Sequence, residues 1–212
     1  TDMPNPVSAY GRSKFLGEQE LQKNTDKFYL IRLSRLFGRD NSSYPPLTSR
    51  GGTDVDPSLR IREGKGELLR KKSFVELMLD LAKIKTEIEV IDEELSCPTY
   101  APDAAKLTRH IVENELPYGI YHAADAGATM WFGFAREIFK TAGINVKLIP
   151  VPASRFPRPA KRPQYSVLLN TKLPPMRSWQ EALEEFLKLD LSLDPSPAPG
   201  EGKRESWREV DL

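Results

Sequence analysis

Long apolar runs are missing from this chain. No stretch among its 212 residues approaches the roughly 20 consecutive apolar residues that a membrane-spanning helix needs. The opening residues lack the basic-then-apolar build of a secretory signal. Cysteine is nearly absent: Cys97 stands alone, which excludes an intrachain disulfide and fits a reducing compartment such as the cytoplasm. Histidine is scarce too. His110, His122 and Cys97 match no zinc-ligand spacing, so no metal site is expected. Neither sign of charge is in excess. Lys and Arg number 31 against 30 Asp and Glu, so nothing calls for nucleic acid or an anionic membrane as a partner. Also missing is any Gly-x-Gly-x-x-Gly or Gly-x-x-Gly-x-x-Gly turn, and Gly51-Gly52 has no strand before it.

What is present alternates between strand and helix patterns, which predicts an α/β fold. Asn5-Pro6 predicts a helix start, with a capping side chain followed by a preset φ, and the helix is expected to run to about Gln22. Phe28 to Leu33 reads as a buried strand. Residues 39–72 are polar and carry Pro45-Pro46, Gly51-Gly52, Gly64 and Gly66, a long loop or insertion. Ser73-Phe74-Val75-Glu76 and Ser178-Trp179-Gln180-Glu181 are capping boxes that open helices. Further helices are expected from Pro102 and over Met130 to Thr141, the latter stopped by Gly143. Strands are expected at Ile88 to Ile91, Gly119 to Ala123 and Val146 to Val151. Hydrophobic residues make up 39%, low for a compact domain, and a Pro, Gly and charge-rich tail after about Leu191, expected to be disordered, accounts for part of the shortfall.

Two residues have a chemical reading. Tyr10 and Lys14 are four apart and share a helix face. A phenol ordinarily titrates near 10, too high for acid–base work at neutral pH, and an ammonium one turn away favours the phenolate. A lone Tyr-x-x-x-Lys arises often by chance on solvated helices. Its surroundings here, Asn5-Pro6-Val7-Ser8-Ala9-Tyr10-Gly11-Arg12-Ser13-Lys14-Phe15-Leu16-Gly17-Glu18, resemble the catalytic helix of extended short-chain dehydrogenases. Ile31-Arg32-Leu33-Ser34-Arg35-Leu36-Phe37-Gly38 resembles the strand and turn that follow it. Asp92 to Asp103 is similar to the D-x-x-x-S-P-T-Y-x-x-D segment of dTDP-4-dehydrorhamnose reductases, with Cys97 where many members carry Ser or Ala. Gly119-Ile120-Tyr121-His122 with Trp131 to Ala135 matches the next strand and helix. Phe156 to Asn170 resembles that family's P-x-P-A-x-R-P-x-x-S-x-L-x-N signature. The likeness runs from about Asn5 to Leu187.

The resemblance implies a partial Rossmann-like fold with a C-terminal substrate-binding subdomain, divided as 1–38 (end of the Rossmann domain with the catalytic helix), 39–72 (insertion), 73–190 (substrate-binding part) and 191–212 (tail). It implies NAD(P)H-dependent reduction of dTDP-4-dehydro-L-rhamnose. Tyr10 is then the proton donor, and Lys14 lowers its pKa and holds the cofactor ribose. Ser34 and Leu36 pass beside the nicotinamide, and Arg35, Ser96, Pro98 and Thr99 contact the dTDP-sugar. Each has a plainer reading: Arg35 as a loop arginine, Ser96 and Thr99 as turn formers, His122 as a satisfied strand-end residue, and Trp131 and Phe134 as core. Arg155, Arg158, Lys161 and Arg162 form a basic cluster, suited to a diphosphate or simply solvated. Some relatives are assisted by Mg²⁺, yet no acidic cluster here is assigned to it. The family's glycine-rich front half is not among these 212 residues, so NADPH or NADH binding is expected to require that half, whether it precedes Thr1 in a longer chain, is supplied as a separate chain or is lost; the assembly expected is a homodimer or a pairing with a separate front half. Two alternatives stay open. One is a non-catalytic regulatory subunit, as in methionine adenosyltransferase. The other is a nucleotide-sugar epimerase.

Overall fold

A computed structural model describes residues 3–38 and 72–193. The expected insertion and tail therefore lie outside the described residues, apart from Lys72 and residues 191–193. Within them, five helices and eight strands alternate, and every strand pair is parallel.

The first helix, α1, spans Ala9–Asn24 and starts later than Asn5-Pro6 predicts. Ser8 takes the N-cap, its hydroxyl accepting the Gly11 N–H at 3.1 Å. Two good capping residues compete here, and the one whose side chain reaches a free amide of the first turn decides the boundary. Helix α1 buries none of its residues. The strand β1 (Tyr29–Leu33) follows and pairs in parallel with β6 (Gly119–Ala123), from Tyr29 opposite Gly119 to Leu33 opposite Ala123. An ion pair from Arg32 to Glu18 at 2.6 Å ties α1 to this pair.

The second pair is β3 (Glu87–Ile91) with β7 (Lys147–Val151). It carries the main core together with α2 (Phe74–Ile84), α4 (Trp131–Ala142) and α5 (Trp179–Leu193). Helix α2 begins in the predicted capping box: Ser73 Oγ accepts from Glu76 N–H and Glu76 accepts from Ser73 N–H at 2.8 Å. Helix α5 opens in the same way, with Ser178 and Glu181 exchanging bonds at 2.8 and 3.3 Å. It runs to Leu193, beyond the expected boundary at 190, because no helix breaker occurs before Pro195. Helix α4 ends at Gly143, whose φ of 66° a side chain would resist. Phe134, Phe186, Leu183 and Ile138 are fully buried where these helices meet. Phe37 joins them, its ring 5.4 Å from Tyr100 and 5.5 Å from Phe134. Each such side chain contributes about 1.5–3 kcal/mol by leaving water.

Two short pairs connect these bodies. The strand β2 (Leu36–Phe37) pairs with β5 (Thr99–Tyr100), and β4 (Leu95–Ser96) pairs with β8 (Tyr165–Ser166). Helix α3 (Ala101–Glu113) starts straight from β5 with Pro102 in its first turn and buries Ala104 and Ile111. Ser34, Arg35, Leu36, Ser96, Pro98 and Thr99, singled out from sequence, gather around these short strands, whereas Tyr10 and Lys14 lie on α1.

Candidate functional site

The turn between β1 and β2 is the centre of the arrangement. Ser34 there is buried and spends its hydroxyl twice. It donates to the Ser166 carbonyl at 2.8 Å and accepts the Cys97 N–H at 3.2 Å. The Cys97 thiol points to the Leu168 carbonyl at 3.6 Å, and burial pushes its pKa up. The His122 ring, at Nδ1, lies 2.9 Å from the Leu169 carbonyl. Three donors from three loops or strands thus reach the carbonyls of 166, 168 and 169. These bonds hold residues 166–169, the end of the Phe156 to Asn170 stretch, against the body. His122 is a satisfied strand residue.

Arg35 follows Ser34, with a left-handed φ of 37°. Its main-chain carbonyl accepts the Thr99 N–H at 3.0 Å, which sets the β2–β5 register. Its guanidinium lies 3.7 Å from the centroid of the Trp131 ring and donates to the carbonyls of Thr129 at 3.2 Å and Glu94 at 2.5 Å. Burial pulls its pKa down to about 10, opposed by the Glu94 carboxylate. Glu94 in turn accepts from Trp131 Nε1–H at 2.9 Å and from Arg158 at 2.8 Å. Trp131 and Arg158, with Phe74, Met78, Val90 and Phe156, line a shallow groove of about 180 Å³. Glu89 and Arg158 add charge to a lining that is otherwise apolar and aromatic.

The structure brings Ser34, Arg35, Ser96, Pro98 and Thr99 together, but in different roles. Pro98 and Thr99 are fully buried, and Thr99 Oγ1 donates to the Cys97 carbonyl at 3.2 Å. Ser96 is buried with no partner for its hydroxyl among the described residues. Leu36 is half exposed on the surface of the same turn. Tyr10 and Lys14 stand apart on α1: Tyr10 is 71% exposed, and the Lys14 ammonium lies 5.6 Å from its ring centroid. The predicted shared face is therefore real, and both side chains are free to meet a ligand. Of the basic cluster, Arg155 pairs with Glu89 at 2.8 Å and Arg158 with Glu94, so only part of its charge stands uncompensated. Among the described residues, no group of three or more His, Cys, Asp or Glu is arranged to hold a metal.

Comparison with known proteins now decides the family. The model of the RmlD substrate binding domain matches residues 1–51 and 66–191. This chain belongs to the RmlD substrate-binding-domain family. The chain is similar to the dTDP-4-dehydrorhamnose reductase of Mycolicibacterium smegmatis, with 31% identity over 190 residues, covering 87% of this chain and 49% of that protein. Among solved structures, it resembles a dTDP-4-dehydrorhamnose reductase from Clostridium acetobutylicum at 32% identity and a TM-score of 0.69, covering 89% of this chain and 57% of that one. It also resembles the Bacillus anthracis dTDP-4-dehydrorhamnose reductase, solved in complex with NADP, at 28% identity and a TM-score of 0.68, with the same coverages. The chain spans about half the length of the curated relatives it matches. RmlD membership settles the fold class as the α/β, Rossmann-like type of extended short-chain dehydrogenases.

Sequence reasoning missed three residues of this region. Glu94 sits in Asp92-Glu93-Glu94 and looks like a solvated loop acid. Arg177 has no local partner; its guanidinium grips both Asp103 oxygens at 2.6 and 3.0 Å, 74 residues away, and Glu185 at 2.6 Å. Asp125, only 1% exposed, accepts the Tyr100 N–H at 2.8 Å through one oxygen, while the other has no partner among the described residues.

Burial pushes the Asp125 pKa up to about 6, with Asp103 adding to the rise and the Tyr100 N–H and Arg177 opposing it. A group whose pKa is raised by folding favours the native state below its unfolded pKa, and that advantage is lost as pH rises through the folded value. The native state therefore weakens between about pH 4 and about pH 6 on this account, by about 2–3 kcal/mol. Asp125→Asn removes the ionisation but leaves an amide NH₂ to be buried, which costs about 1 kcal/mol or more. The expected net effect is a gain of about 1–2 kcal/mol at pH 7.5 and a loss of about 1 kcal/mol at pH 4. Melting curves of both proteins across this range check it, and parallel curves for the two proteins would refute it.

Proposed function

We propose that this chain supplies the sugar-nucleotide-binding part and the proton donor of an NAD(P)H-dependent reductase. The substrate on this reading is dTDP-4-dehydro-L-rhamnose, the product dTDP-L-rhamnose. The observation that carries it is the joint presence, in an RmlD family chain, of an exposed Tyr10 with Lys14 against its ring and of the groove at Trp131.

In this reading the nicotinamide cofactor, when bound, supplies the hydride to C4 of the keto sugar. The residues here fit its nicotinamide and ribose end: Tyr10 and Lys14 are unencumbered, and Leu36 offers an exposed apolar flank. The phenol of Tyr10 gives its proton to the O4 oxygen as hydride reaches C4, so the carbonyl gains one hydride and one proton. Lys14 stabilises the phenolate that remains and contacts the ribose. Ser34 acts on this site through the main chain, by fixing the turn that carries Arg35 and Leu36. Ser96, Pro98 and Thr99 shape the sugar side from buried positions. The division into residues 1–38 and 73–190 follows this split of labour, and the same reading carries a cytoplasmic location, with a homodimer or a pairing with a separate front half as its assembly.

Calorimetric titration of the chain tests the reading. Binding of dTDP is expected in the micromolar range. NADPH is expected not to bind usefully, since the 212 residues hold no glycine-rich turn to cradle its pyrophosphate. Absence of dTDP binding would overturn the substrate assignment, and micromolar NADPH binding would overturn the assignment of the pyrophosphate site to another polypeptide segment.

A further inference from the structure

Three non-glycine residues among those described have positive φ: Arg35 at 37°, Glu94 at 65° and Glu115 at 48°. Two of them touch. The Arg35 guanidinium donates to the Glu94 carbonyl, and both are strained at an estimated cost of about 1 kcal/mol each. Strain of this kind persists where surrounding contacts over-determine it, and the contacts at Glu94 do so. Its carboxylate divides between the Trp131 indole N–H and the Arg158 guanidinium, and its side chain is only 12% exposed. One residue thus joins four segments: the β1–β2 turn through Arg35, the β3–β4 turn on which it sits, the start of α4 through Trp131, and the loop before β8 through Arg158.

We propose that Glu94 is a positioning residue for the nucleotide part of the substrate. This rests on the reading of the site as one for a dTDP-sugar. Trp131 forms one wall of the aromatic groove, and Arg35 covers the ring of that same tryptophan. An indole held at its N–H by a carboxylate and on its face by a guanidinium has one orientation. Arg158 is drawn to the same carboxylate, which places Phe156, two residues before it, beside the groove. Arg158 binds the Glu94 carboxylate while Arg35 binds its main-chain carbonyl, and Glu89 at the same groove is paired by Arg155, so three guanidinium groups accompany two carboxylates and leave a net positive charge, suited to a ligand carrying a diphosphate. Glu94 touches no reacting atom in this account. It sets the wall and the charge before the ligand arrives, which reduces the ordering cost of binding.

The test uses the full chain and dTDP as the probe. Glu94→Ala is expected to weaken dTDP binding about tenfold or more, as loss of hydrogen bonds to a charged group does. The Trp131 Nε1–H resonance is expected to move, and the melting temperature to fall by about 2–12 °C, because the indole N–H and Arg158 lose their acceptor. In Glu94→Gln the amide oxygen still accepts from Trp131, while its NH₂ cannot accept from Arg158. This variant is expected to keep the indole resonance near its original position and to lose about threefold in affinity. If Glu94→Ala fails to fold, Glu94→Gln carries the test alone. Unchanged dTDP affinity in the folded variants overturns the positioning role while leaving the substrate reading intact. Failure of the unaltered chain to bind dTDP overturns both.

Discussion

Tyr10→Phe, in a chain joined to the front half that the resemblance implies, is expected to lose about 10²–10⁴-fold in turnover while folding normally. The magnitude is that of a positioned general acid. The folding claim comes from the structure: Tyr10 is 71% exposed on a helix that buries nothing, so removing its hydroxyl costs no packing. Lys14→Met is expected to act on both binding and chemistry, because on the proposed reading the ammonium serves the ribose and the phenolate together. Steady-state rates with NADPH and the dTDP-keto sugar decide the point. A Phe variant turning over near the original rate would remove Tyr10 from the mechanism, whatever the family resemblance.

Arg177→Ala is expected to destabilise the fold by about 3–5 kcal/mol. Arg177 holds Asp103 with two bonds at the start of α3 and Glu185 with a third on α5, and it lies 5.9 Å over the Tyr100 ring. These bonds hold its pKa above the ordinary guanidinium value. Asp103 is buried, and without Arg177 its charge would sit beside Asp125 with the exposed, more distant Lys106 at 3.4 Å left to offset it. For a chain of this size that loss lowers the melting temperature by about 6–20 °C. The variant Asp103→Leu with Arg177→Leu removes both charges and is expected to recover much of the difference. A single variant melting within about 2 °C of the unaltered chain would show that the pair is solvated in solution.

Much of the fold was legible because its signals are local. Ser73 and Ser178 each carry a glutamate three residues on, and each box forms with both reciprocal bonds. Gly143 ends its helix for a reason visible in one residue. The Tyr10 and Lys14 face needed only helical spacing. The start of α1 was misread because Asn5 and Ser8 are both capable caps, and only the realised bond to Gly11 separates them. The inner part of the site was less legible. Glu94 and Trp131 are 37 residues apart, and Ser34 and Ser166 are 132 apart. No periodicity reports such meetings. Ser34, placed beside the nicotinamide by resemblance, turned out to spend its hydroxyl on two main-chain groups. Asp125 follows Ala123-Ala124 just past the end of β6, and nothing local marks it as a buried carboxylate with one oxygen unpartnered among the described residues.

The segment from 166 to 169 is attached to the body through its carbonyl oxygens, and the donors are Ser34, Cys97 and His122. Every amino acid has a carbonyl, so this anchorage is blind to the side chains of the segment it holds. Substitution at 167, 168 or 169 leaves the acceptors in place, whereas substitution of a donor removes a tether outright. The two sides of one contact therefore differ in how freely they can drift over generations. The acceptor strip can change its side chains while the turn of Ser34 stays constrained, without loss of the bonds that hold the strip in place.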